Sequence, residues 1–178
     1  MPLKPTLLRW GKSLAAASPL VQWGGGRKEI MDLLAPEGPV YQAGTLAGNP
    51  IAVTAGLTTL SLLAQPLELK KIFDNATYFN KNMQLLAEKY RFRFHSSGTM
   101  FSIFLTPEKI ENFQSVSQIP DQLFIDFHQQ LLQLNVYLAP SKFEANFISL
   151  THKQKILDDT LNKIEFTLKK IYPYGKHK

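Results

Sequence analysis

The sequence predicts an α+β domain over residues 66–178, joined to a preceding segment, residues 1–65, that reads as the edge of something larger. Three observations carry this. Apolar residues recur at three- and four-residue spacing in three long stretches after Pro66. Two short apolar segments lie between the first two of these stretches, separated by turn residues. Residues 51–64, "IAVTAGLTTLSLLA", carry no charge at all and have no polar face to turn to water.

Taken in order, residues 1–26 give no clear period, with Pro19 and a glycine run at Gly24, Gly25 and Gly26. Residues 27–34 read as a short helix ended before Pro36, and Glu37, Gly38 and Pro39 as a turn. Asn49 can accept a hydrogen bond from an early helical N–H, and Pro50 suits the first helical position. The helix that follows is expected to be buried, which in a chain this short requires a second subunit or a further domain. Gly56 in its middle costs about 1 kcal/mol relative to alanine, so a close contact is expected there.

Pro66 starts a helix running to Tyr90, with Leu69, Ile72, Phe73, Ala76, Phe79, Met83, Leu86 and Ala87 on one side. "RFRFH" (residues 91–95) and "MFSIFL" (residues 100–105) read as two strands joined through "SSGT". Asp121 is placed as the cap of a helix through Leu134, with Phe124, Phe127, Leu131 and Leu134 inward. "VYL" and "FISL" read as further short strands. Residues 153–171 form a last amphipathic helix with Ile156, Leu157, Thr160, Leu161, Ile164 and Leu168 as its stripe.

A hydrophobic content of 44% is too high for a disordered tail. Cysteine is absent, which excludes disulfides, a thiolate nucleophile and thiolate metal ligands. The net charge is +6, partly from a basic tail. No zinc-finger, RNP or GXXG pattern accompanies it, so a small anionic ligand or plain solubility is expected rather than nucleic acid. Lys4, Arg9 and Lys12 interrupt the first apolar residues, unlike a secretory signal, and no run of about 20 apolar residues suggests a membrane span.

The stretch "VYQAGTLAGNP" (residues 40–50) leaves two readings open. It is a plain turn and helix start, or its glycines expose backbone N–H groups that, with the Thr45 hydroxyl, hold a phosphate. Lys12, in "WGKSL", is a solvated surface charge or, in a poorly solvated pocket, an amine neutral enough to form a Schiff base. Glu144 lies between Phe143 and Phe147; it pairs with an amine or caps a turn, since burial of a free charge is costly. Ser97 and Thr99 sit in a hairpin turn or face a ligand. His95, His128, His152 and His177 have no ligand partners at metal spacing, and no HExxH, GxGxxG, P-loop or GxSxG pattern occurs.

Taken together, "GGGRKEIMDLLAPEGPVYQAGTLAGNPIAVTAGLTTL", "SSGTMFSIFLT" and "NVYLAPSKFEANFISLTH" resemble the later part of the glutamate-1-semialdehyde 2,1-aminomutase family, in the right order. The resemblance implies an α/β fold, part of a fold-type I pyridoxal-phosphate transferase: the last segment of the large domain (residues 1–65) and a C-terminal small domain (residues 66–178). It implies a cytoplasmic homodimer acting on a small molecule, with no nucleic-acid or membrane partner. The implied reaction moves an amine within glutamate 1-semialdehyde to give 5-aminolevulinate, using pyridoxal 5'-phosphate through its pyridoxamine form. Thr45 matches a threonine that reaches the cofactor phosphate of the neighbouring subunit, with Gly44 allowing close approach. Lys12 matches the Schiff-base lysine, and Glu144 a glutamate at the substrate end of the pocket. Around Lys12 the family's glycines are replaced by Ala15, Ala16 and Ala17. Upstream motifs that pair with the pyridine nitrogen have no counterpart in this sequence. The chain is therefore expected to be inactive, or nearly so, by itself.

Overall fold

The structure is a computed structural model. It describes residues 7–10, 23–41, 44 and 48–171, with residues 7–10 and 23–25 described by their backbone alone. Two compact units divide the chain, Met1–Glu68 and Leu69–Lys178.

The first unit holds an antiparallel pair of strands, β1 (Leu7–Trp10) and β2 (Trp23–Gly26), in the register Leu7↔Gly26 to Trp10↔Trp23. Neither strand was expected, because three successive glycines give no strand propensity and carry no side chain to pack. The short helix α1 (Lys28–Met31) spans only part of the expected 27–34, and turns replace the rest. Helix α2 (Pro50–Leu63) starts as expected, with Asn49 as its cap and Pro50 first. Its burial is another matter. Ala52 and Gly56, one turn apart, are buried, whereas Ile51, Val53, Leu57, Leu60 and Leu62 are exposed, Ile51 by 75%. The chain by itself leaves most of this apolar helix uncovered.

In the second unit, three helices share one core with one face of a three-stranded antiparallel sheet of order β3-β4-β5. Helix α3 (Pro66–Tyr90) buries Ala76, Phe79, Met83, Ala87 and Tyr90. Its first turns differ from the expected stripe: Leu69 and Phe73 are exposed. Strands β3 (Arg93–Ser97) and β4 (Met100–Phe104) begin two residues later and end one residue earlier, respectively, than the sequence reading, and pair from Arg93↔Phe104 to Ser97↔Met100. Gly98 turns between them at φ +58°, where a side chain is disfavoured. A short helix α4 (Phe113–Ser117), not anticipated, is held by a reciprocal cap in which Asn112 and Ser115 each accept from the other's backbone N–H. Helix α5 (Asp121–Gln133) fully buries Phe127 and Leu131. Its cap position is Pro120; Asp121 is the first helical residue and does not cap.

Residues 136–138 alternate buried, exposed, buried but join no sheet, and only β5 (Asn146–Phe147) survives of the other expected strands. The physical reason lies in a side-chain bond: Ala139 N–H donates to Asn146 Oδ1 at 2.7 Å, and the two segments meet through that amide instead of a backbone ladder. Helix α6 (Gln154–Ile171) buries Leu157, Leu161, Ile164, Thr167 and Leu168. Ile156 is left exposed because the buried line runs through Leu157, one residue on and about 100° around the helix.

Helices α3 and α5 end in the same way. Arg91 and Asn135 adopt left-handed backbone, φ 59° and 60°. The next N–H reaches back, Phe92 to the Ala87 carbonyl at 3.1 Å and Val136 to the Leu131 carbonyl at 2.9 Å. Phe92 and Val136 are both buried, so each closure also delivers an apolar side chain to the core.

Polar ties bind α6 to α3. Tyr78 donates to Asp158 at 2.6 Å, and that bond holds the phenol above its ordinary pKa. Glu165 accepts from Lys89 at 2.6 Å and from Tyr90 at 2.9 Å. The Lys89 bond, above all, draws the Glu165 carboxyl below the usual glutamate range, and raises Lys89 in turn. Burial, then the Glu165 bond, pushes Tyr90 up.

Because the folded carboxyl of Glu165 is the stronger acid, the unfolded chain takes up its proton first. The stabilisation is complete above the unfolded value, about pH 4.3, and is lost as pH falls through the folded value. Glu165→Gln is expected to flatten the fall in stability below about pH 4.3, measured as urea midpoints against pH. The fully buried Thr167 hydroxyl finds no partner among the described residues. Thr167→Val is expected to raise unfolding free energy by about 1 kcal/mol in urea denaturation, since it removes an unsatisfied buried hydroxyl.

Candidate functional site

The stretch before α2 is built around glycines and one amide. Gly44 is exposed and irregular. Gly48 sits at φ +72° with open space where a Cβ would stand. Asn49 Oδ1 accepts from the N–H groups of Ile51 at 3.0 Å and Ala52 at 3.3 Å, and Pro50 has no N–H to offer. The first free donors of the helix are thus already engaged by the chain's own cap. An anion at this end would have to be held by loop N–H groups ahead of Gly48 rather than by the helix terminus. Thr45 and Lys12, the other residues of interest in this unit, lie outside the described residues.

Glu144 belongs to the second unit, on the loop between residues 139 and 147. It is exposed, and its carboxylate makes no hydrogen bond or ion pair among the described residues. The desolvation argument from its aromatic neighbours therefore fails: Phe143 and Phe147 are themselves half exposed. The loop around it is tied down. Glu144 N–H donates to the Ser141 carbonyl at 3.1 Å, and Phe143 N–H to Ser141 Oγ at 3.2 Å. Ser102 Oγ on β4 reaches the Glu144 carbonyl at the long limit of 3.5 Å. Ala145 and Ser102 help line a shallow cleft of about 210 Å³ with His95, Ser96 and Ser97. Met100 and Phe101 complete the lining, and Glu144 is the chain neighbour of Ala145 in it.

Sequence reasoning passed over Lys142. Its side chain is 6% exposed, and its ammonium donates to the Ile119 carbonyl and meets Asp121 Oδ1 at 2.6 Å. It also lies 5.2 Å from the centre of the Phe143 ring, which stacks on Phe113 at 5.1 Å. A lone lysine in a loop gives no periodic signal. The expected helix cap, Asp121, is the carboxylate that this lysine claims.

The "SSGT" stretch is a structural turn in the first instance: Asn80 donates to the Gly98 carbonyl at 3.0 Å, and Ile148 N–H to the Thr99 carbonyl at 2.9 Å. His128 donates from Nε2 to the Leu138 carbonyl at 3.0 Å and stacks on Phe124. His152 accepts the Ser149 N–H at Nδ1, 3.0 Å. Both rings serve the loop geometry. Among the described residues no group of three or more His, Asp or Glu side chains could hold a metal ion. No single described helix is long and apolar enough to cross a membrane.

The fold defines a class before any name does. The chain superposes on an omega-transaminase from Sphaerobacter thermophilus with a TM-score of 0.75 at 19% identity, covering 93% of this chain and 38% of that one. It superposes on a beta-phenylalanine aminotransferase from Variovorax paradoxus with a TM-score of 0.80 at 18% identity, again over 93% of this chain and 38% of that one. The fold is accordingly that of part of a fold-type I pyridoxal-phosphate transferase, α/β in class. Residues 1–171 match the class-III aminotransferase family, and the chain belongs to it. Curated relatives include glutamate-1-semialdehyde 2,1-aminomutases from Thermodesulfovibrio yellowstonii, 37% identical over 171 residues, and Fusobacterium nucleatum, 39% over 173. Each match covers 95% of this chain and 40% of the relative, so the chain spans about two fifths of their length.

Asn49→Ala would leave two N–H groups at the start of α2 without their acceptor. It is expected to lower stability by about 1 kcal/mol, read by far-UV circular dichroism during urea unfolding.

Proposed function

We propose that this chain is the part of a glutamate-1-semialdehyde 2,1-aminomutase that carries the end of its large domain, residues 1–65, and its small domain, residues 66–178. The observation that carries this reading is 37–39% identity, over 95% of the chain, to proteins of that name. The cofactor of this reading is pyridoxal 5'-phosphate; a solved transaminase holding it has the same fold, with a TM-score of 0.75. Bound, it would supply the electron sink and the carrier of the amine.

The residues in hand fit one edge of that group. Gly44 is exposed, Gly48 has open space where a Cβ would stand, and the α2 terminus is taken by the Asn49 cap, so in this reading the loop and not the helix end meets the anion. Thr45 is, in this reading, the hydroxyl donor to the phosphate bound by a second copy in a homodimer. Lys12 supplies the amine, which acts only when neutral and hence in a poorly solvated setting. Glu144, exposed on a tied loop, offers a carboxylate to the amine of a small substrate. In this reading the reaction runs in the cytoplasm, as the family resemblance implies.

A second reading has its own observation. The uncovered apolar face of α2 favours a chain that is inactive alone and docks through that helix on a full-length subunit.

Titration of the purified chain with pyridoxal phosphate, followed by absorbance, tests both. In the first reading Lys12→Ala abolishes the band given by the parent, and Glu144→Gln weakens the response to the semialdehyde about tenfold or more. Identical spectra for parent and Lys12→Ala remove the lysine from its role. Turnover to 5-aminolevulinate by the isolated chain would overturn the second reading.

A further inference from the structure

We propose that Lys142 is a positioning residue for Glu144: its buried ammonium pins the loop on which that carboxylate is presented. The inference rests on the reading of Glu144 as a substrate contact, but its geometry stands apart from it.

The ammonium has three partners in three directions. The Ile119 carbonyl accepts one hydrogen bond, Asp121 Oδ1 lies at 2.6 Å, and the face of the Phe143 ring lies 5.2 Å away. Ile119 is buried with Phe104 and Val116 in a small second cluster, so its carbonyl is a fixed point. Asp121 opens α5, where a carboxylate is favoured by the helix dipole. One acceptor is thus the backbone of a buried residue between α4 and α5, and the other the first residue of α5. Lys142 ties both to residues 141–144, which no strand or helix includes.

The carboxylate of Glu144, two residues on, has no partner of its own among the described residues. Its direction is fixed only through its backbone. That backbone is held at the Ser141 carbonyl on one side and, weakly, by Ser102 on the other. Without the ammonium, the Ser141 turn would be anchored by its own local bonds, the long Ser102 contact and the Phe113–Phe143 stack alone. The aromatic pair Phe113 and Phe143 would no longer be backed by a charge.

The alternative is that Lys142 merely adds stability. Asp121 is 76% exposed, so the carboxylate that Lys142→Met leaves behind stays solvated, and the loss of stability is small enough for the two roles to separate. Lys142→Met keeps the stem and removes the charge. Asp121→Asn keeps the stem and the Ile119 bond and, being on an exposed residue, leaves the fold intact. The readout is the ¹⁵N backbone order parameter at Phe143, Glu144 and Ala145 in the full chain, beside the core amides of Met83, Leu131 and Leu168. The expected result for Lys142→Met is a fall at the loop from about 0.85 to below about 0.6, with the core amides unchanged and a smaller fall in Asp121→Asn. Unchanged loop values in both variants overturn the proposal, and so does a loosening shared equally by the core. Glu144→Gln is expected to leave these values as they are. Failure of the substrate reading would therefore show in the cofactor and semialdehyde experiments and leave this result standing.

Discussion

The second unit depends on the burial of one face of α3. Ala76, Phe79, Met83, Ala87 and Tyr90 lie along it, and Phe79 meets Phe101 of the sheet with ring centres 5.0 Å apart. The sheet is only three strands wide and its last strand only two residues long. A hairpin extended by a strand of two residues is at best marginally stable in water by itself. It persists because α3 and α6 supply the apolar surface that its inner face needs. The polar ties from α6 to Tyr78, Lys89 and Tyr90 then fix the rotation of one helix about the other.

Legibility in the sequence follows how much each element depends on its own residues. The extent of helix α3 was readable from its leading proline and its three- and four-residue spacing, although Leu69 and Phe73 at the start of that stripe are exposed. So was the cap at Asn49. The β1–β2 pair was not, since its glycine run is held by a partner strand rather than by propensity. Residues 136–138 carried a strand pattern and still joined no sheet, because a single side chain, Asn146, took the place of the ladder. Asp121 looked like a cap from local spacing; its carboxylate went to a lysine 21 positions later, a choice only the tertiary fold reveals.

The candidate site divides in the same way. Gly44 and Thr45 could be singled out because glycines and a hydroxyl before a helix are a local chemical pattern. Glu144 could be singled out only by likeness to a family; the physical argument for it, burial among aromatics, does not hold in the structure. Lys142 was invisible to both. What distinguishes it is the set of acceptors drawn from residues 119 and 121, more than 20 positions away. Family membership therefore speaks to which groups could react, and the structure to what keeps one of them in place.

The two left-handed closures, at Arg91 and Asn135, bear on how the chain finds this arrangement. Each reverses direction using contacts five residues apart, Phe92 with Ala87 and Val136 with Leu131. The β3–β4 hairpin that follows the first is also local, its pairs running from Ser97↔Met100 out to Arg93↔Phe104. Segments whose contacts are close in sequence form with little loss of chain entropy and hence early. Residues 66–105 are thus joined mainly by short-range contacts, whereas the ties of α6 to Tyr78 and Tyr90 span 75 to 80 positions and carry the larger cost of loop closure.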